Sequence, residues 1–286
     1  MIRTEQVLLI ILNGVTTGML LFLLASGLIL ILGVMGIVNM SHGSFYLLGG
    51  YIAICIASAT GSFWVAVLGS TIAIVILGIL LERFFLRRVP GGWEAQVLLT
   101  FAFVYIISDF ARGVWGGYPQ GLHTPDFLAR SIRIPGVLLP FPIYRLALVF
   151  FALIVAFVLW LFLEKTRFGA VIRAGVDDRE MVTGIGINIK KVFTGVFAIG
   201  SFLVGIGGAL GAPIMPVYPG QDWNILLLAM IVLVAGGASV KGALLGSLLI
   251  GLVDNFGKFV LPELSMFLLF GIMALILAFK PQGLFR

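Results

Sequence analysis

The chain has 286 residues, of which 61% are hydrophobic and only 10% are charged, and its formal net charge is +6. Soluble domains carry about 25% charged residues because their surfaces face water, so the composition excludes an ordinary soluble enzyme, a disordered chain and a nucleic-acid-binding domain. The mean hydropathy of +1.19 indicates a protein that crosses a lipid bilayer several times.

Taken in chain order, a series of apolar runs approaches the roughly 20 residues that a helix needs to cross the hydrocarbon core. We therefore predict an all-α polytopic membrane protein with eight or nine transmembrane helices, with ten also allowed. The single cysteine, Cys55, lies in the second run and is predicted to be a small buried hydrophobe. The runs are Val7–Leu32, Gly43–Ser58, Phe63–Leu81, Ala95–Ala111, Ile143–Leu163, Val192–Gly211, Ile225–Val240, Ala243–Phe256 and Leu264–Phe279.

The distribution of Lys and Arg predicts the orientation of these helices. Basic residues cluster at 83–88, at 165–191 and after the last run. Because cytoplasmic loops are enriched in Lys and Arg, these segments and the C-terminus are predicted to be cytoplasmic. The N-terminus lies outside if three full crossings precede Arg83, and inside if one segment is re-entrant. The proline-rich loops 116–142 and 213–223 are predicted to be extracytoplasmic, the second including Asp222 and Trp223.

Two glycine-rich stretches interrupt the apolar pattern: 33–43, which has no charged flank, and 235–242, which lies between two short apolar runs. Unwound backbone at membrane depth is tolerated only when it is buried in protein or lines a watery cavity, and paired interruptions are typical of transporter pathways. The alternative is that both stretches are tight cytoplasmic turns. The residues predicted to line a solute pathway are Gly36, Asn39, Ser41, His42, Gly43, Gly236, Gly237 and Ser239.

Ionisable residues near the predicted spans are few. Asp109 with Arg112, and Asp254 with Lys258, are three or four residues apart and are predicted to form local ion pairs. His42 is predicted to be a neutral buried histidine bonded to backbone rather than a proton carrier. The sequence has no phosphate-binding loop, no H-E-x-x-H and no C-x-x-C motif, so neither ATP hydrolysis nor a metal site is expected in this chain.

The longest charged stretch, 164–191, is predicted to be a docking surface for a cytoplasmic partner. Asp177 or Asp178 can cap a short helix that Gly184 ends, and a simple connection between two spans needs only about 2–8 residues. A solvated loop is the alternative. The residues predicted to contact the partner are Arg173, Asp177, Asp178, Arg179, Glu180, Gly184 and Gly186.

Four segments together resemble the permease subunits of bacterial branched-chain amino acid ABC importers. They are the charged stretch at 164–188, the pattern G-x-x-G-I-V-N-x-x-H-G at 33–43, the glycine-rich region at 236–243 and the ending K-P-Q-G-L-F at 280–285. The resemblance covers nearly the whole chain. It implies a type II ABC importer-like permease with broken helices, in which residues 1–286 form one transmembrane domain of the bacterial inner membrane.

The resemblance also implies partners and a substrate class. The partners would be a second homologous permease chain, two cytoplasmic ATP-binding subunits that use ATP and Mg, and an extracytoplasmic solute-binding protein, while this chain would bind no cofactor. The solute would be a branched-chain or related amino acid, although permeases for urea, short amides and aromatic acids are similar. From other functional classes, an ion-coupled secondary transporter and a passive channel-like protein are the alternatives.

Overall fold

The computed structural model describes residues 4–90, 92–133, 140–184 and 186–285, apart from the side chains of residues 4, 5, 177, 179 and 180. These residues are almost wholly helical. The helices are α1 Thr4–Met35, α2 His42–Thr60, α3 Phe63–Leu80, α4 Trp93–Trp115, α5 Ile143–Lys165, α6 Arg167–Asp177, α7 Arg179–Gly184, α8 Ile189–Gly211, α9 Gln221–Gly236, α10 Val240–Val260 and α11 Ser265–Phe279.

Short irregular elements complete the described chain. A π-helical turn, Leu81–Phe85, and a 3-10 turn, Leu86–Arg88, extend α3, and a second 3-10 turn, Pro262–Leu264, precedes α11. The strands β1, Ser131–Ile132, and β2, Phe141–Pro142, pair antiparallel in the first proline-rich loop.

The predicted all-α membrane architecture is confirmed. Among the described residues, eight helical stretches are long and apolar enough to cross a membrane, and α9 is a shorter apolar helix of 16 residues. The largest error in the predicted bounds concerns α9, which begins at Gln221 and ends at Gly236 rather than spanning Ile225–Val240. The helix stops early because Gly237 has a φ of +81°, a conformation that ends a right-handed helix.

The chain divides into two compact units. Unit 1 comprises Met1–Ala25, Thr124–Ala156 and Leu228–Arg286, and unit 2 comprises Ser26–His123 and Phe157–Leu227. In unit 1, the first half of α1 packs closely against α10. A Cβ added at Gly251 would lie 2.4 Å from the backbone nitrogen of Gly18. Such close approach replaces the hydrophobic driving force that is missing between helices in lipid.

The core of unit 2 is built from α2, α3 and α8. A Cβ added at Gly208 of α8 would lie 2.2 Å from the carbonyl oxygen of Tyr46 on α2, and one added at Gly205 would lie 2.9 Å from Cβ of Ile74 on α3. The hydroxyl group of Ser201 likewise occupies the space beside Gly78. Small residues on α8 therefore bring three helices into near-backbone contact.

Apolar helices differ greatly in how much of them lies inside the protein. In the most apolar window of each helix, 89% of α1 but only 11% of the α11 segment is buried within the structure. The prediction that Cys55 is a buried hydrophobe is wrong, because Cys55 is exposed on the C-terminal half of α2. An apolar position in a membrane protein can face lipid as readily as protein, since both surroundings are free of water.

Of the two predicted ion pairs, one is confirmed. Lys258 Nζ lies 2.6 Å from Oδ2 of Asp254, which is 3% exposed. The pair predicted between Asp109 and Arg112 is wrong: within the described ranges neither residue forms an ion pair. Both side chains are exposed near the end of α4, so each can be solvated without the other.

Candidate functional site

The first glycine-rich stretch is a break between α1 and α2 that lies within unit 2. α1 ends at Met35, residues 36–41 form no helix, and α2 begins at His42. Gly36 has a φ of +70° and is exposed, whereas Asn39, Ser41 and His42 are fully buried. The unwound backbone is thus largely enclosed by protein, which is the condition for irregular structure at membrane depth.

Polar side chains hold this break in place. Asn39 Oδ1 accepts hydrogen bonds from the backbone nitrogen of Ser41 at 3.2 Å and from its hydroxyl group at 2.7 Å. The backbone nitrogen of Met40 donates to Oγ1 of Thr100 on α4 at 3.2 Å. These bonds satisfy backbone donors that have no helical acceptor. Sequence reasoning missed Thr100, because a threonine inside an apolar run carries no distinctive signal.

α2 begins beside the middle of α8. A Cβ added at Gly27 of α1 would lie 2.7 Å from the carbonyl oxygen of Gly200 and 3.1 Å from Cε1 of His42. The ring of Phe45 lies 6.4 Å from that of Phe197, measured between centroids. Gly200 and Phe197 are near the centre of the 23-residue α8. These contacts support a helix broken at depth, since a tight cytoplasmic turn would start α2 beside one end of α8.

α9 begins at the same place as α2, which brings a buried carboxylate to the break. A Cβ added at Gly43 would lie 2.2 Å from the carbonyl oxygen of Asp222 and 3.0 Å from Cβ of Leu226. Ser44 Oγ donates to Asp222 Oδ2 at 3.0 Å, and Asp222 is only 1% exposed. The assignment of Asp222 to an extracytoplasmic loop is therefore corrected: it lies in the first turn of α9. An acidic residue directly before an apolar helix is the signal that could have indicated this position.

The second glycine-rich stretch is a short turn in unit 1 between α9 and α10. A Cβ added at Gly236 would lie 2.1 Å from the carbonyl oxygen of Gly242, so the two helix ends touch through their backbones. Ser239 caps α10, its hydroxyl oxygen accepting from the backbone nitrogen of Gly242 at 3.0 Å. This arrangement corresponds to the alternative of a tight turn. Gly236 allows the backbone contact in this turn, and Ser239 caps the helix that follows it.

The C-terminal segment covers this turn. The backbone nitrogen of Leu284 donates to the carbonyl oxygen of Ala235 at 2.9 Å. Gly283 has a φ of +90°, and a Cβ added there would lie 2.6 Å from the backbone nitrogen of Gly237. The glycine in the ending K-P-Q-G-L-F is thus required by a close backbone approach, which the sequence pattern alone could not reveal.

The predicted pathway residues fall into two groups, each within one unit. The structure brings together Asn39, Ser41, His42 and Gly43 in unit 2, with Gly36 exposed at the start of the break. It brings together Gly236, Gly237 and Ser239 in unit 1. Their role as a lining of a solute pathway stays a prediction.

The charged stretch at 164–191 folds into two short helices, α6 and α7. Thr166 caps α6, its hydroxyl oxygen accepting from the backbone nitrogen of Gly169 at 3.0 Å. Asp178 Oδ1 accepts from the backbone nitrogen of Met181 at 2.9 Å, and α7 ends at Gly184. The cap and the end of the short helix are as predicted, but the sequence analysis missed α6.

The structure describes the positions of some of the residues predicted to contact a partner. Arg173 lies 3.8 Å from Glu164 and donates to the carbonyl oxygen of Leu163, so it ties α6 to the end of α5. Gly184 and Gly186 are exposed. The side chains of Asp177, Arg179 and Glu180 lie outside the described residues.

α6 and α7 also present apolar side chains to solvent. Val176 is 50% exposed and Met181 is 68% exposed, whereas Ile172 and Val182 are buried beneath them. Exposed apolar groups within a charged segment are typical of a surface that another protein covers.

A buried ion pair joins the end of α3 to the first turns of α8. Glu82, in the π-helical turn, is 1% exposed, and Arg87 Nη2 lies 2.9 Å from Oε1 and 3.0 Å from Oε2 of that carboxylate. The same Arg87 nitrogen donates to the carbonyl oxygen of Lys190 at 3.0 Å. Thr194 Oγ1 contacts Glu82 Oε2 at 2.8 Å. Since α8 follows α7 along the chain, this cluster connects the segment that contains α6 and α7 to α3.

The whole chain is similar to known transport proteins. The family described as branched-chain amino acid transport system / permease component matches residues 10–277. The high-affinity branched-chain amino acid transport system permease protein BraD of Pseudomonas aeruginosa is 28% identical over 288 residues, covering 95% of this chain and 93% of BraD. The corresponding protein LivH of Escherichia coli K12 is 25% identical, with the same coverage.

The chain is also similar to a permease that is named for another solute. The ribose import permease protein RbsC of Haemophilus influenzae is 27% identical over 246 residues, covering 82% of this chain and 72% of RbsC. No solved structure matches the chain.

Proposed function

Because the chain belongs to the family of branched-chain amino acid transport system permease components, we propose that it is the membrane-spanning subunit of an ATP-driven importer that brings branched-chain amino acids into the cytoplasm. The observation that carries the substrate class is the similarity to BraD and LivH along 95% of the chain. Urea, short amides and aromatic acids are the runner-up solutes, and an ion-coupled transporter is the runner-up class.

The proposed assembly has three kinds of partner. Two cytoplasmic subunits bind ATP and Mg and hydrolyse the nucleotide, an extracytoplasmic protein delivers the solute, and a second homologous permease completes the membrane part. The names LivH and LivM, which both occur among relatives from Methanocaldococcus jannaschii, support two different permease chains in one system. Residues 1–286 act as one permease domain in the bacterial inner membrane.

The proposed orientation places α6, α7 and the C-terminus in the cytoplasm. The basic residues of 83–88 and of 165–191 meet in one cluster of unit 2, where Arg87 bonds to the backbone of Lys190. Their placement on one face is what the excess of Lys and Arg in cytoplasmic loops requires. With nine crossings, the N-terminus lies outside.

The transmission of force follows from contacts within unit 2. A partner that closes on α6 and α7 pushes on α5 through the Arg173 contacts and on α8 through the chain. The cluster of Glu82, Arg87 and Thr194 then makes α3 follow α8. Because α2 packs against both α3 and α8, the break that precedes α2 moves with them, which is how alternating access would reach Asn39, Ser41, His42 and Gly43.

The proposal is tested by copurification with the ATP-binding subunits and by uptake into vesicles. Gly184→Trp places a large side chain on the exposed end of α7, where nothing lies within 4 Å of an added Cβ. We expect loss of bound ATP-binding subunits and of uptake, with normal membrane insertion. Gly117→Trp is the matched control, since it is equally open but lies in the first proline-rich loop.

Two outcomes would contradict the proposal. If Gly184→Trp and Gly117→Trp retain the same amount of bound ATP-binding subunit, the α6–α7 segment is not the contact surface. If the isolated chain accumulates leucine in vesicles without any ATP-binding subunit, the chain is an ion-coupled or independent transporter. Glu180→Lys provides a second variant of the α6–α7 segment.

A further inference from the structure

The N-terminal ends of two helices, α2 and α9, meet inside unit 2 around one carboxylate. Ser44, in the first turn of α2, donates to Oδ2 of Asp222, in the first turn of α9, at 3.0 Å. The backbones are in contact as well, because only a hydrogen atom at Gly43 fits against the carbonyl oxygen of Asp222. The first backbone N–H groups of a helix have no acceptor within that helix. A helix that begins inside a protein therefore places these donors in the interior.

Buried polar atoms at this junction lack hydrogen-bond partners. Among the residues that the structure describes, Asp222 Oδ1, Gln221 Oε1 and Asn39 Nδ2 have no hydrogen-bond partner. Asp222 is 1% exposed, Gln221 6% and Asn39 0%. Buried polar atoms are almost always paired in folded proteins, and exceptions call for an explanation such as a ligand.

A purely structural role accounts for only part of this arrangement. An acidic residue in a first helical turn stabilises the positive end of the helix dipole, and the bond from Ser44 satisfies Oδ2. Neither explains why Asp222 Oδ1, Gln221 Oε1 and Asn39 Nδ2 have no hydrogen-bond partner. Ionisable residues inside a membrane domain are costly and usually mark a solute or ion pathway.

The two kinds of charge at the junction match the two charged groups of an α-amino acid. Helix N-termini that end within a membrane protein attract a solute carboxylate, whereas a buried carboxylate attracts an ammonium group. Urea and amides lack both charges, and an aromatic acid would be repelled by Asp222. The junction therefore discriminates among the solutes that the family similarity leaves open.

We propose that Asp222 binds the α-ammonium group of the transported amino acid, while the N-terminal turn of α2 binds its carboxylate. The assignment rests on the proposed function and narrows its solute to a zwitterion. In the structure the hydroxyl group of Ser44 occupies Oδ2 of Asp222, the position that the proposal gives to the ammonium group. Parting of α2 from α9 at Gly43 opens the site, and Asp222 then exchanges Ser44 for the solute.

The test uses the assembled importer with its ATP-binding subunits and binding protein, reconstituted in vesicles and supplied with radiolabelled leucine. Asp222→Asn keeps the shape of the side chain and an oxygen that can accept from Ser44, but removes the charge. We expect maximal uptake to fall by about tenfold or more, the loss for one charge-assisted bond, with unchanged copurification of the ATP-binding subunits.

Asp109→Asn is the matched control, because Asp109 is exposed on α4 and outside the junction. If Asp222→Asn transports leucine as well as Asp109→Asn does, the inference is overturned while the proposed function stands. If the wild-type assembly does not transport leucine at all, the proposed function itself fails.

A measurement on the wild-type assembly keeps the inference testable should Asp222→Asn fail to fold. Without binding protein, millimolar leucine is expected to raise the midpoint of thermal unfolding, because a ligand stabilises the state that binds it. The des-amino analogue 4-methylpentanoate and the decarboxylated analogue 3-methylbutylamine, each lacking one charge, are expected to have no such effect. Equal stabilisation by 4-methylpentanoate would show that Asp222 does not recognise an ammonium group.

Discussion

Replacing Arg87 by alanine should destabilise the protein more than the loss of any other arginine in the basic segment that follows α3. The substitution leaves Glu82, which is 1% exposed, with Thr194 as its remaining side-chain partner at 2.8 Å. Removing one partner of a buried ion pair costs about 3–5 kcal/mol. Arg87 is itself 29% exposed and Thr194 still solvates the carboxylate, so we expect a loss at the lower end, about 3 kcal/mol.

The assay is unfolding of the purified protein by SDS titration in mixed micelles, with the free energy of unfolding compared between variants. Arg83→Ala is the matched control, because Arg83 is exposed in the same basic segment and its replacement also removes one positive charge. We expect the control to change stability by less than about 0.5 kcal/mol, as exposed substitutions do.

The double variant Glu82→Gln/Arg87→Ala separates an unpaired charge from lost packing. Once the carboxylate is neutral, the desolvation penalty of an unpaired charge disappears, so the double variant should be more stable than Arg87→Ala alone. A double variant that is less stable than the single one would refute this reasoning. So would an Arg87→Ala protein that is no less stable than Arg83→Ala.

Three further predictions concern close backbone contacts and a helix cap. Gly43→Ala forces α2 away from α9 and should cost about 1–3 kcal/mol and lower uptake, whereas Gly113→Ala, with nothing within 4 Å of its added Cβ, should be neutral in both assays. Gly283→Ala should release the C-terminal segment from Gly237. Carboxypeptidase should therefore cleave the variant faster than it cleaves the wild-type protein. Asn188→Ala removes the oxygen that accepts from two backbone nitrogens at the start of α8, so unfolding free energy should fall by about 1 kcal/mol, and Asn188→Asp should restore it.

Apolar runs and caps were enough to predict the long helices, whereas α6 was missed. The predicted span at 63–81 corresponds to α3, Phe63–Leu80, and that at 192–211 corresponds to α8, Ile189–Gly211. Asp178 caps α7 and Gly184 ends it, as the sequence pattern predicts. These features depend on neighbours within a few residues, which a sequence displays directly.

The two glycine-rich stretches show where such reasoning stops. In sequence they look alike, yet one is a buried break beside the middle of α8 and the other is a capped turn covered by the C-terminal segment. The difference arises from partners far along the chain, such as Thr100 for Met40 and Leu284 for Ala235. A local pattern contains no information about these partners.

The amino-acid sequence by itself determined that this is an all-α membrane protein, because an apolar run of about 20 residues satisfies its backbone hydrogen bonds in lipid by forming a helix. Tertiary structure decided which apolar faces are buried within the protein. Cys55 is exposed and Tyr51 is buried, although both lie in the same apolar run. It also decided that Asp222 is buried against α2 and not in an outer loop. Lipid and protein interior are both apolar, so hydrophobicity cannot distinguish them, and only packing between distant segments does.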